Sequence, residues 1–191
     1  MSGDPNAAVD TEPADANADR DAPTRIAVTG TPGTGKTTAT KRLEDEYDVI
    51  HLNDRIKAND DLWTERDADR DTLVADLDAV AAHLGDWSGV LDSHLAHHLA
   101  VDRVIVLRCR PDVIADRLRD RGESPETATE NAESEALDVL LSEAVSNHGL
   151  ERVYEIDTTG RDPDAVADEI RAAIDGDREP SAGTVDFTDY V

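Results

Sequence analysis

Residues 30–38 read GTPGTGKTT and satisfy G-x-x-x-x-G-K-[ST] through Gly30, Gly35, Lys36 and Thr37. Each part of this spacing suits a phosphate chain. The glycines let the backbone turn and bring its N–H groups towards phosphate oxygens. Lys36 can reach a β- or γ-phosphate, and Thr37 offers a hydroxyl to Mg²⁺. A helix opening at this point would turn its positive end to the same place. The motif leaves open whether the phosphate passes to another molecule, passes to water, or is only sensed.

Further along lie the other residues that phosphate chemistry asks for. Asp92 closes the apolar run GVLD, where an acid can hold Mg²⁺ through water and position an attacking oxygen. Its alternative is an ordinary N-cap of a helix beginning near Ser93. His94, two residues on, is placed to face bound phosphate and to orient water or a transferred group. His97 and His98 follow, but no cysteine and no clear fourth ligand accompany them, so zinc is not favoured. They read as helix-surface or partly buried residues. Arg117 and Arg121 are four apart, on one face of a helix, and can offset charge on a moving phosphoryl group. Surface pairing with acids is the alternative for both. Arg119 points elsewhere.

These groups need a frame, and the middle of the chain supplies one. Short β-rich runs at 25–30, 48–52, 88–93, 103–109 and 152–157 alternate with helical patterns. Helices are expected at 37–46, 72–84, 111–121 and 126–147, with a last one from Asp162-Pro163 to Gly176. Strand–helix alternation predicts an α/β fold, a parallel sheet covered on both faces. Segments 53–71 and 122–129 are polar and weakly patterned. They interrupt the rhythm and are candidates for a lid or a substrate-contacting insert.

Composition sets the limits. The chain has 191 residues, 44 acidic and 19 basic, for a net charge of -25. That balance works against direct strong nucleic-acid binding. With only Lys36, Lys41 and Lys57 as lysines, it reads as the solvated surface of a protein from a high-salt cytoplasm, that is, a halophilic one. Acidity dedicated to a partner is the alternative. The single cysteine, Cys109, sits in an apolar run and is expected in the core. No run approaches a membrane span and no signal core opens the chain, so a cytoplasmic protein is expected, with no membrane partner. Residues 1–23 and 176–191 are polar and are expected to be disordered acidic tails around a domain at 24–175.

Taken together, GTPGTGKTT, RDT at 70–72, LDSH at 91–94, RLRDRGE at 117–123 and ENAESEALDVLLSEA at 130–144 resemble the adenylate kinase isoenzyme 6 family of archaea and eukaryotes. The resemblance covers about residues 25–175. It implies a P-loop NTPase fold of the nucleoside monophosphate kinase type, with a five-stranded parallel sheet and helices on both faces. It also implies Mg²⁺-dependent phosphoryl transfer from ATP to AMP, giving two ADP. ATPase activity and a role in maturation of the small ribosomal subunit and its 16S rRNA come with the family; the acidic surface suggests that contact there runs through a basic small-subunit ribosomal protein. Alternatives are an ATPase assembly factor first of all, or a kinase for another nucleoside monophosphate.

By the same resemblance, Gly33, Thr34, Gly35, Lys36, Thr37 and Thr38 hold ATP phosphates and Arg121 contacts ATP from a lid at about 120–130. Arg117 assists transfer, Asp92 and His94 form the catalytic Asp-x-His element, and Thr37 and Asp92 hold the metal. Residues 52–75 form the AMP side, and Thr159-Gly160 lie near adenine. The chain departs from larger adenylate kinases in having DSHLAHH where they carry a Gly-Phe-Pro-Arg element for AMP. Its short lid has no zinc cysteines, and its AMP side is rich in acids.

Overall fold

The computed structural model describes residues 24–67 and 72–190. In chain order the elements are β1 (Arg25–Thr29), α1 (Lys36–Thr40), β2 (Val49–His51), α2 (Leu52–Ala58), β3 (Trp63–Asp67) and β4 (Thr72–Ala75). There follow α3 (Leu77–Leu84), β5 (Gly89–Asp92), β6 (Arg103–Arg108), α4 (Pro111–Asp120), α5 (Pro125–Ala136), α6 (Val139–His148), β7 (Val153–Asp157) and α7 (Pro163–Asp175). Five strands form a parallel sheet in the order β2-β5-β1-β6-β7, as the alternating pattern predicts.

Alternation along the strands divides the core. Ile26 and Val28 of β1, with Ile105 and Leu107 of β6, face one side, where Ala39, Leu43, Val166 and Ile170 of the flanking helices cover them. Ala27, Val104 and Val106 face the other side with Leu52, Val80, Leu91 and Leu141. A smaller cluster of Cys109, Ile114, Leu118, Ala128 and Ala132 holds α4 to α5, and Cys109 is buried as expected. Parallel strands buried on both faces present all their C-terminal ends on one edge, where open α/β sheets bind ligands. Thr29, His51, Asp92, Arg108 and Asp157 all end strands on that edge. No helix among the described residues is long and apolar enough to cross a membrane.

Four local expectations are corrected. The helix expected over 72–84 is confined to Leu77–Leu84; residues 72–75 are β4, which pairs antiparallel with β3. Asp76 caps α3, its carboxylate accepting from the N–H groups of Asp78 and Ala79. The expected helix over 126–147 is two helices, broken at Asp138, whose φ is 54°. Aspartate tolerates the left-handed region better than most residues, and here its carboxylate meets Arg108. Segment 122–129 is largely helical, because Ser124 accepts from the N–H of Thr127 and Pro125 opens α5. The helix expected from Ser93 is only a 3₁₀ turn at Ala96–His98.

The C-terminal segment also differs from expectation. Instead of forming a tail without contacts, it lies against β7. Arg178 Nη2 donates to the carbonyl of Glu155, and the N–H groups of Thr184 and Val185 donate to the Glu155 carboxylate at 2.7 and 3.1 Å. The ring of Phe187 covers the Arg108 guanidinium at 5.5 Å. Polar composition hid this role because the segment supplies hydrogen bonds rather than apolar bulk. Residues 1–23, expected as the other tail, lie outside the described residues, as do 68–71.

Removing residues 177–191 is expected to lower the unfolding free energy by about 2–5 kcal/mol, because the Glu155 carboxylate loses three donors from Thr184 and Val185 while still paired with Arg108. Denaturant unfolding in a molar potassium salt checks this; an unchanged midpoint would show the segment to be dispensable.

Candidate active site

The loop between β1 and α1 is built around backbone geometry. Gly30 has φ 145°, and a Cβ there would lie 2.4 Å from the carbonyl oxygen of Leu107, so only glycine fits. Gly33 and Gly35 also have positive φ, at 99° and 95°. The loop closes on itself through Thr34 N–H to the Thr31 carbonyl, 3.2 Å. It is tied to the sheet edge by Thr158 Oγ1, which donates to the Thr34 carbonyl at 2.9 Å. Lys36 Nζ donates to the carbonyls of Gly30 and Thr31 at 2.6 and 3.2 Å. Burial pushes the Lys36 pKa down to about 8, against the pull of Asp92 and Glu135. Thr37 and Thr38 are exposed on the first turn of α1.

Arg117 rests on this loop from α4, its Nη1 donating to the Gly33 carbonyl at 2.9 Å. Arg117 and Arg121 both line a cleft of about 380 Å³ together with Thr34, Gly35, Thr38 and Arg161. That size lies within the range of small-molecule sites. The structure therefore brings the loop and both predicted arginines to one cavity. Arg119 points away and pairs with Asp116, as expected. Arg161 was missed by sequence reading; its only signal was a position just after Thr159-Gly160. Those two residues stand near the cleft in sequence but do not line it. Thr158 and Arg161 do.

Asp92 is buried at the C-terminal end of β5. It does not cap a helix. Its Oδ2 accepts from Thr40 Oγ1 at 3.2 Å and pairs with His51 Nδ1 at 2.8 Å. His51 Nε2 meets Glu44 at 3.0 Å. Burial works against a charged His51, but the bonds to Glu44 and Asp92 outweigh it and its pKa is raised. Sequence reading missed His51 because its partner is set by register: it stands opposite Asp92 across β2 and β5. The bonds from Thr40 and His51 fall on one carboxylate oxygen. The donor set of Thr37 hydroxyl and Asp92 carboxylate is all oxygen, which suits Mg²⁺, an ion that keeps several waters.

His94 does not join the cleft of the arginines. It lines a second cleft of about 480 Å³ with Thr31, Pro32, His97, His98 and Glu143. Burial, with Lys36 nearby, pushes its pKa down to about 4, so it is a neutral imidazole. His97, expected at the surface or partly buried, is 1% exposed. Glu135 is another missed residue. It accepts from Thr31 Oγ1 of the loop, from Arg108 Nε at 2.7 Å and from the Cys109 N–H at 3.1 Å. Arg108 also pairs with Glu155 and Asp138.

A glycine-turned loop at the end of a central strand, a buried lysine, and arginines from the opposite helix define a P-loop protein of the kinase type. Comparisons with known proteins agree. A family profile described as an AAA domain matches residues 26–138, more than half of the chain. A protein of Natronomonas pharaonis named "Putative adenylate kinase" is 62% identical over 168 residues, covering 87% of this chain and 99% of its own. A protein of the same name from Methanocaldococcus jannaschii is 41% identical over 172 residues, covering 86% and 93%. The chain belongs to the family of these archaeal proteins named "Putative adenylate kinase", and to the AAA-domain family whose profile it matches. A solved shikimate kinase from Bacteroides thetaiotaomicron shares the fold, with a TM-score of 0.54 at 18% identity over 80% of this chain and 98% of its own.

Glu135→Ala is expected to cost about 3–5 kcal/mol of stability, since it leaves Arg108 and the loop threonine short of a buried acceptor. Nucleotide affinity should fall with it. Denaturant unfolding and titration with an ATP analogue check both; wild-type values would mean that Glu135 does not hold the loop.

Proposed function

We propose that the chain is a Mg²⁺-dependent adenylate kinase that moves the γ-phosphoryl group of ATP to AMP, giving two ADP. The observation that carries this is the convergence of Lys36, Arg117 and Arg121 on one phosphate loop. Cations from two elements meet where charge is in transit between two anions. An oxygen of the AMP phosphate attacks the γ-phosphorus, the bond to the bridging oxygen breaks, and ADP leaves. The loop N–H groups and Lys36 hold the β- and γ-phosphates in line. Arg117 and Arg121 offset charge on the moving group. Thr37 and Asp92 would hold Mg²⁺, with His51 and Thr40 fixing the Asp92 carboxylate, and the ion would supply charge neutralisation to the phosphates. The names of the archaeal relatives support AMP as acceptor.

We further read the chain as a member of the isoenzyme 6 branch, with ATPase activity and a part in maturation of the small ribosomal subunit. The Asp92-Ser93-His94 element supports this, as does the net charge of -25, which fits a basic ribosomal protein as partner. The neutral His94 beside the loop favours water as a second acceptor.

In a coupled assay at molar salt, ADP is expected from ATP plus AMP, and Lys36→Ala should lower kcat by at least about 100-fold for AMP transfer and hydrolysis alike. No ADP from AMP would end the kinase reading. ATP hydrolysis that ignores AMP but rises with ribosomal proteins would favour the assembly-factor reading.

A further inference from the structure

The second cleft carries a feature that phosphoryl transfer does not use. His97 and His98 follow β5 in the 3₁₀ turn at Ala96–His98, and Glu143 projects from α6, far away in sequence. His97 Nε2 lies 3.1 Å from Glu143 Oε2, and His98 Nε2 lies 4.0 Å from the same oxygen. The ligating atoms of all three residues fall within 4.8 Å of one another. We propose that His97, His98 and Glu143 bind one divalent transition-metal ion, zinc by the chemistry of its donors.

Geometry supports three protein ligands on one ion. Tetrahedral bonds of about 2.0–2.2 Å place ligand atoms about 3.3–3.5 Å apart, between the two separations observed here. A hydrogen bond accounts for His97 and Glu143 alone. The His98 ring packs against that of His97, centroids 4.0 Å apart, and this brings its Nε2 to the same oxygen at a distance too long for a hydrogen bond.

The positions are also held from behind. His97 Nδ1 meets Thr29 Oγ1 at 3.1 Å, an outer partner of the kind that fixes the ring and turns Nε2 to a metal. The His97 carbonyl accepts from Asn147 Nδ2 at 3.2 Å and from His148 Nε2 at 2.8 Å. Asn147 follows Glu143 by one helical turn, so the same face of α6 that supplies the carboxylate also grips the turn that supplies the imidazoles. Two imidazoles and one carboxylate select zinc over Mg²⁺, which prefers oxygen alone. All three residues line the cleft, so the fourth position opens into it and takes water or a phosphate oxygen.

The sequence could not show this, because the third ligand lies outside the histidine cluster.

The test uses the full chain, stripped with a chelator and titrated with Zn²⁺ against a competing indicator in a molar potassium salt. Co²⁺ serves as a second probe through its visible absorption. One equivalent of Zn²⁺ and the strong absorption of four-coordinate Co²⁺ are expected. His98→Ala and Glu143→Gln should each weaken Zn²⁺ by more than about tenfold, and Thr29→Val by about tenfold. His98 is exposed, so its variant keeps the fold and ATP-analogue binding, both measured alongside. Absence of a stoichiometric site would overturn the proposal. So would Zn²⁺ affinity unchanged in His98→Ala and Glu143→Gln, which would assign the ion to the acidic surface.

Discussion

Arg108 is 1% exposed, so its guanidinium must find partners for its donors inside the protein. Meeting that demand joins parts of the chain that no local rule connects. Glu135 comes from α5, Asp138 from the break between α5 and α6, and Glu155 from the edge strand β7. Three carboxylates around one cation would leave excess charge, so further donors share it. Thr31 and the Cys109 N–H take part of Glu135, while Thr184 and Val185 take part of Glu155. Thr31 belongs to the phosphate loop and Thr184 to the C-terminal segment. One buried charge thus fixes the loop, the helix break and the path of the chain end together.

The same logic explains how an acidic protein handles an acidic substrate. The net charge of -25 describes the whole chain, whereas the nucleotide cleft is lined by Arg117, Arg121 and Arg161 against a single acid, Asp120. At molar salt the screening length falls to about 3 Å. Repulsion between the distant surface acids and a nucleotide is then nearly lost. Contacts at hydrogen-bond distance inside the cleft survive, because they are shorter than the screening length and partly shielded from solvent. The field that matters to the nucleotide is therefore the local, cationic one.

Much of this was legible in the sequence, for a physical reason. The five strands are short apolar runs because both faces of a parallel sheet are buried, and G-x-x-x-x-G-K-[ST] is local geometry written in glycines. What stayed hidden depends on distant pairing. Leu73, Leu77, Val80 and Leu84 fit helical spacing, yet Leu73 belongs to β4; a strand leading into a helix can mimic one longer helix. The apolar stripe over 126–147 runs unbroken past Asp138, and only its bond to Arg108 reveals the break. His51 ends a strand with nothing to mark it until the register sets it opposite Asp92. Glu135 and Glu155 look like any of the 44 acids of the chain until their burial is known.

The phosphate loop is a wall between two clefts of opposite character. Thr34 and Gly35 face the cleft of the arginines, whereas Thr31 and Pro32 face the one that holds His94. The second cleft is lined by Glu123, Glu130 and Glu143, and no arginine or lysine stands among the described residues that line it. His94 there is neutral, so it offers a hydrogen bond but no charge. An anion entering from that side meets carboxylates at short range, where salt screens little. Water enters freely. A phosphate oxygen needs a cation to receive it, and the place where one fits is the corner formed by His97, His98 and Glu143. The two sides of the loop are then separated by charge: one admits the nucleotide whenever it is present, and the other admits an anion only when a metal ion is already bound.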